Sequence, residues 1–258
     1  MTTFQIKLIA ITCMVIDHVG LFFFPQILLF RIVGRLAFPL FAWLIANGAY
    51  YSKNTKQYLV RLLFFALVAQ MPFIVINRLV DPSFWALNIL FTLFLGLAAI
   101  VLIQKSKNIV VSLLIVIVST LIASILNVEY GAMGVLAIIV FYLSFTNFKK
   151  MIILQICIFT FFSITPIVFL IALTKGVNPV VSAISLPLCL PSEISACLKM
   201  SFIFSPNFIV QSLIEPLGLF SLIFVAFYSN QEGRKMKYFF YCFYPIHLTI
   251  LYFIKLFV

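Results

Sequence analysis

The chain has 258 residues, 65% hydrophobic and 9% charged, with a formal net charge of +11. Soluble domains carry about 45–50% apolar and 25% charged residues, so this composition excludes a soluble globular protein and describes an integral membrane protein. The basic residues fall in ones to threes between apolar segments, as topology-setting loop charges do, and form no stripe for a phosphate backbone, which excludes nucleic acid as a partner.

Alternating apolar and polar residues, the signal of an outer-membrane barrel, are absent. Helices are then the only way to satisfy the backbone in lipid, and the fold class is all-α and polytopic. The first apolar run lacks a small-residue cleavage site and reads as a retained helix, not a signal peptide. Nine transmembrane helices are predicted, in a range of eight to ten. They lie near 6–24, 31–50, 58–77, 86–104, 108–126, 130–147, 150–172, 208–228 and 238–256, with ends good to about 2–4 residues. The one long connection, 173–207, holds four of the eleven prolines. Its apolar run 177–190 is too short and broken for a span, so a re-entrant or interfacial segment is expected. The whole of 1–258 reads as one transmembrane domain.

Loop charges agree with nine spans. Lys7, Lys53, Lys56, Arg61, Lys105, Lys107, Lys149, Lys150, Arg234, Lys235 and Lys237 fall on one side. Arg31, Arg78, Lys175 and Lys199 fall on the other, with Asp81, Glu129 and Glu193. The positive-inside rule places the N-terminus in the cytoplasm and the C-terminus outside. The five cysteines show no metal spacing. Cys189 and Cys197 share the long connection, where an oxidising compartment would allow a disulfide.

Ionisable groups inside the apolar segments carry the functional signal, because each costs about 2.5–3.5 kcal/mol at a helix centre. Asp17 and His18 are adjacent in the first segment, about 100° apart on a helix and so not a face-to-face pair. Lys7 lies eleven residues before His18, on the same face and about 16 Å away along the axis. Arg31 and Arg35, at i and i+4, share one face of the second segment, where either can pair with Asp17. His247 is about 14 Å into the last segment and His18 about 18 Å into the first, so the two histidines reach similar depth. Glu215, before Pro216, is an expensive acid in the eighth segment. Asn47, Gln70, Asn88 and Thr92 are expected to hydrogen-bond between helices. Glu129 sits in Glu129-Tyr130-Gly131 at an outer helix end, where an acid is unremarkable.

The runs KLIAITCMVIDHVGLFFFP, RIVGRLAFPLFAWLIANG, YLVRLLFFALVAQMPF and NILFTLFLGLAAI, with EYGAMGVL and FYPIHLTIL, resemble the TraX family of membrane proteins. The resemblance covers most of the chain except 173–207. It implies an inner-membrane acetyltransferase, whose family namesake acetylates the N-terminal amine of conjugative pilin. The chain is also similar to the transmembrane acyltransferase superfamily that modifies surface sugars. That superfamily carries a basic residue, ten residues, then histidine, as Lys7 and His18 do here. It also has two arginines separated by two residues, whereas Arg31 and Arg35 are separated by three.

The function expected from the residues and the resemblance is acetyl transfer from cytoplasmic acetyl-CoA to an acceptor at or beyond the membrane. The acceptor is a pilin-like amine in the closest family and a surface or lipid-linked glycan in the wider one. His18 is the expected base or acetyl carrier. Asp17 is expected to orient the site, and Arg35 to stabilise the oxyanion. Lys7, Arg31, Arg35, Lys53, Lys56 and Arg61 are the expected contacts to the donor. His247, Glu215 and Asn88 form a second tier, and no metal site is expected. A proton-coupled transporter is the rival reading, since intramembrane Asp, His, Arg and Glu are its signature too. The lack of an internal repeat weighs against it. A non-enzymatic assembly factor that binds a partner helix would not need such expensive groups.

Overall fold

The structure, a computed structural model, describes residues 1–52, 54–174, 210 and 212–257, excepting the side chains of 166–174 and of Lys237. Lys53, most of the 173–207 connection and the Cys189–Cys197 pair lie outside the described residues.

The architecture is a helical membrane bundle. It comprises α1 (Thr3–Phe23), α2 (Leu28–Arg35), α3 (Ala37–Tyr51), α4 (Thr55–Arg78), α5 (Ile89–Lys105), α6 (Ile109–Ile125), α7 (Gly131–Leu143) and α8 (Phe148–Thr174). A 3₁₀ turn (Glu215–Ser221), α9 (Leu222–Ala226) and α10 (Lys237–Phe257) follow. Five segments are long and apolar enough to cross a membrane: α1, α2 with α3, α4, Phe148–Thr165 of α8, and Tyr238–Phe257 of α10. Shorter apolar helices complete the bundle. The 13-residue α7 is only about 20 Å long.

Two predicted spans are interrupted. The second bends at Leu36, because Pro39 offers no N–H to the Arg35 carbonyl. The eighth is not a continuous α-helix over its described residues 212–228. Pro216 starts a 3₁₀ turn, and Gly218 brings that turn against the freed Arg35 carbonyl, which a Cβ there would meet at 2.5 Å. The two breaks face each other.

α3 is the buried centre. Phe38, Leu40, Ala42, Trp43 and Ala46 are all in the core. It packs on α1, α5 and α7, and α10 closes the bundle against α4 and α1. α5 and α7 approach through glycines: a Cβ at Gly96 would meet Ile138 at 2.7 Å, and one at Gly134 would meet Thr92 at 2.7 Å. Small residues at a crossing are how membrane helices gain van der Waals contact without a hydrophobic drive. α6 buries only Ala123 and exposes Ile109, Leu113, Ile117 and Leu121, a face for lipid.

Hydrogen bonds tie the loops at each end. At one end Thr3 N–H donates to Gln231 O (2.8 Å), Phe4 N–H to Glu232 O (3.1 Å) and Ser229 N–H to Met1 O (2.8 Å). At the other end the α4–α5 and α6–α7 loops pair: Leu87 N–H donates to Asn127 O (2.9 Å) and Glu129 N–H to Leu87 O (2.8 Å). Asn88, fully buried, caps α5 through Leu90 N–H and donates to Ala66 O and Gln70 Oε1, both at 2.8 Å.

Asn88→Leu leaves the Leu90 N–H without its cap and takes one donor each from the Ala66 carbonyl and from Gln70 Oε1, which keeps the backbone N–H of residue 88, at a cost of about 1–3 kcal/mol for the group left unsatisfied. Thermal unfolding in detergent should show a lowered midpoint for this variant. An unchanged midpoint would mean that the network adds nothing to stability.

Candidate active site

α1, α2, α3, the start of α5, the α6–α7 loop and α10 converge on a small chamber of about 30 Å³. Its walls include Met14, Asp17, His18, Ala37, Phe38, Phe41, Ile89, Glu129, Tyr130 and Tyr244. A cavity of that size holds a water-sized group or a little more.

His18 is 8% exposed, and its Nδ1 is 2.7 Å from His247 Nε2. His247 Nδ1 is 3.0 Å from Phe243 O, an acceptor only. The proton on His247 therefore sits on Nδ1, its Nε2 accepts, and His18 Nδ1 carries the proton between the rings. Neutral His18 is left with a lone pair on Nε2. When Nε2 takes a proton, the Nδ1–H bond to His247 is unchanged, so His247 holds one tautomer through both states. His247 is itself fixed by stacking on Phe243, ring centroids 5.3 Å apart.

Two ion pairs brace the chamber. Arg31 Nη1 donates to Asp17 Oδ1 at 2.8 Å, and Arg35 Nη1 to Glu215 Oε1 at 2.5 Å. Gly34 lies against Asp17, with no room there for a Cβ. Arg35 Nη1 also reaches the Tyr130 hydroxyl at 3.4 Å. Tyr130 has φ 62°, a left-handed backbone that a bulky residue adopts only when its surroundings hold it. Here the ring stacks on Phe38 at 4.0 Å and the hydroxyl meets Arg35. That turn carries Glu129 into the bundle, where Thr92 Oγ1 donates to its carbonyl. The Glu129 carboxyl lines the chamber, and its buried Oε2 has no hydrogen-bond partner among the described residues. Burial raises this carboxyl to about 7. Asp17 adds to the shift, and Arg35, a hydrogen bond from the Ile89 backbone and Arg31 oppose it.

A larger cavity, about 690 Å³, lies at the end of the bundle that carries the N-terminus. Its walls include Lys7, Phe41, Asn47, Tyr58, Arg61, Tyr228, Arg234, Lys235, Phe240 and Tyr241. The volume falls in the roughly 300–1,000 Å³ range of ligand pockets. Asn47 Oδ1 and Arg61 Nε are buried on this wall without hydrogen-bond partners among the described residues. Lys7 lies over the Phe240 ring at 5.2 Å. Phe41 lines both cavities.

The sequence-predicted residues divide between these places. His18, Asp17, Arg31, Arg35, His247 and Glu215 gather in and around the small chamber. Lys7 and Arg61 line the large cavity, about three helical turns away along α1. Asn88 caps α5 and does not line either cavity. Arg31 and Arg35 are engaged with carboxylates and do not reach the large cavity, whose further basic side chains are Arg234 and Lys235. Sequence reasoning passed over four residues. Glu129 and Tyr130 read as a helix-end pair, although Gly131 marked a special turn. Arg234 and Lys235 read as topology charges only.

Replacing one member of a buried ion pair leaves the other charge without compensation, at a cost of about 3–5 kcal/mol. Glu215→Leu should therefore lower the unfolding midpoint in detergent strongly. The Arg35→Leu, Glu215→Leu double variant should recover a large part of that loss. Additive losses would show that the two side chains are not energetically coupled.

The family model described as TraX protein matches residues 3–255. The chain is 29% identical to a probable fimbrial assembly protein, FimC of serogroup H1, from Dichelobacter nodosus, over 271 positions covering 99% of this chain and 96% of that one. It is also 29% identical over 91 residues to an uncharacterized protein, RP591, of Rickettsia prowazekii (strain Madrid E), covering 35% of this chain and 33% of that one. No solved structure matches the chain.

Proposed function

The chain belongs to the TraX family, and from that membership and the site geometry we propose that it is a membrane acetyltransferase, moving an acetyl group from acetyl-CoA to the N-terminal amine of a pilin-like protein. The similarity to a probable fimbrial assembly protein over nearly the whole chain supports a pilin-related acceptor. The observation that carries the chemistry is His18, buried on the chamber wall with a lone pair on Nε2 and its other nitrogen held by His247.

The large cavity suits the donor. Lys7, Arg61, Arg234 and Lys235 offer charge to phosphates, tyrosine rings offer stacking surface to a base, and Asn47 and Arg61 bring unpartnered polar atoms to the wall. Lys7 and His18 share a face of α1 about 16 Å apart, which matches the reach of an extended pantetheine arm. That end of the bundle carries most of the loop cations, so the positive-inside rule assigns it to the cytoplasm, where the donor is. The small chamber accommodates an acetyl group and little more.

His18 Nε2 takes the proton that the acceptor nitrogen loses as it attacks the thioester carbonyl, and returns it to the departing sulfur. His247 positions it. The Tyr130 hydroxyl on the chamber wall, with Arg35 donating to it from behind, is the donor for the developing oxyanion, and Asp17 holds Arg31.

Purified protein in detergent should release CoA thiol from acetyl-CoA, faster with a peptide bearing a free N-terminal amine. His18→Ala should abolish release while the protein still elutes as a folded species. His247→Ala should lower turnover about 10²-fold with little change in KM for acetyl-CoA. Arg61→Ala should instead raise that KM. Absence of both thiol release and acetyl-CoA binding in the folded wild type, with a labelled solute transported instead, would transfer the assignment to a carrier.

A further inference from the structure

The acetylation reading leaves a proton unaccounted for, and a carboxylate on the chamber wall that it does not use. An α-amine has a pKa of about 7.7–8.0, so near neutral pH it arrives mostly as an ammonium with no lone pair. It must lose one proton before it can attack and a second as the amide forms. His18 Nε2 can take only one of these in a turnover.

Three carboxylates belong to the site: two on the chamber wall, Asp17 and Glu129, and one behind it, Glu215. Asp17 is held by Arg31 at 2.8 Å, and Glu215 by Arg35 at 2.5 Å. Both are committed to cations. Glu129 has no ion pair among the described residues, and its Oε2 is buried and without a hydrogen-bond partner. It shares the chamber with His18. It reaches the chamber from the α6–α7 loop, opposite the end that holds the large cavity.

We propose that Glu129 is a second catalytic base, which seats the acceptor's ammonium and takes its first proton, and that His18 takes the second. This rests on the acetylation reading above. Glu129 carboxylate removes one N–H proton and becomes a neutral carboxyl. The amine lone pair attacks the thioester carbonyl carbon and a C–N bond forms. His18 Nε2 takes the remaining surplus proton, the C–S bond breaks, and the sulfur leaves with the proton returned by His18. Glu129 then releases its proton to water. An ammonium and a thioester give an amide, a thiol and one proton. A hydroxyl acceptor brings a single proton and would need His18 alone, so the second base suits an amine.

The groups that face Glu129 set where it titrates. These are Asp17 from α1, Arg31 and Arg35 from α2, Tyr130 beside it and Tyr244 from α10. With the carboxyl near 7, the acid limb of the wild-type rate should lie about one pH unit below the titration of the acceptor amine itself.

The test is CoA thiol release by the full-length protein in detergent, with acetyl-CoA and a peptide bearing a free N-terminal amine, followed across the neutral and alkaline range. Glu129→Gln should move the acid limb up to the amine's own pKa. Its rate should be about three- to fivefold below wild type near pH 7 and should converge on it above about pH 9, where the amine is already neutral. Glu129→Asp should retain the wild-type limb. A glutamine variant with the wild-type profile, or with the same loss at every pH, overturns the proposal and leaves His18 chemistry standing. If the glutamine variant does not fold, the wild type decides alone: a limb at the amine's own pKa overturns the proposal, and one about a unit lower supports it. No thiol release by the wild type overturns the acetylation reading and this proposal together.

Discussion

The guanidinium of Arg35 is the point to which the rest of the site is tied. A charge at this depth in a bilayer cannot be left without partners, and the elements that supply them come from across the sequence. Glu215 arrives from the 3₁₀ turn and Tyr130 from the start of α7. The residue's own carbonyl, freed by Pro39, is covered by Gly218. One turn earlier on the same helix, Arg31 holds Asp17, the neighbour of His18. The two arginines therefore fix α1, the broken helix and the α6–α7 loop relative to one another. The chamber exists where those elements meet, and it inherits its rigidity from charges that have nowhere else to go.

This bracing explains why the site can afford irregular backbone. Non-helical structure at membrane depth survives only where protein covers it. The bend at Leu36 and the 3₁₀ turn at Glu215–Ser221 face one another and share the Arg35 side chain. The strained Tyr130 is held from two sides, by the Phe38 ring and by Arg35. Each irregularity aims a polar group inward. The regular helices around them, α4, α6 and most of α10, present apolar faces outward.

Much of the fold was legible in the sequence because lipid imposes a local requirement. A helix must be apolar along its length, so the segments predicted near 6–24, 58–77 and 238–256 correspond to Thr3–Phe23, Thr55–Arg78 and Lys237–Phe257. The broken eighth segment was not legible, although Pro216 and Gly218 stood in it. Whether they kink a span or end it depends on what packs against them, here the Arg35 carbonyl. The ionisable residues of the chamber stood out singly for a similar reason, since each is costly in lipid. Their pairing did not stand out. His18 and His247 are 229 residues apart and meet only because α10 returns against α1. Glu129 looked like a solvated helix end, because nothing local shows that the loop bearing it is stitched to Leu87 and folded inward. Arg234 and Lys235 counted as topology charges, and only the bundle's packing reveals the hollow beside them.

Phe41 is the side chain that the charged cavity and the small chamber have in common. The frontier between these compartments thus runs through a phenyl ring, not only through helix backbone. Moving a helix takes microseconds to milliseconds, whereas side-chain rotamers exchange far faster when they have room to turn. On the acetyl-transfer reading proposed above, the Phe41 ring is the side chain that stands between donor and chamber. On that reading, the bulk of one residue on α3 therefore bears on two quantities at once: how quickly a thioester reaches the histidine, and how often it is lost to hydrolysis before an acceptor arrives.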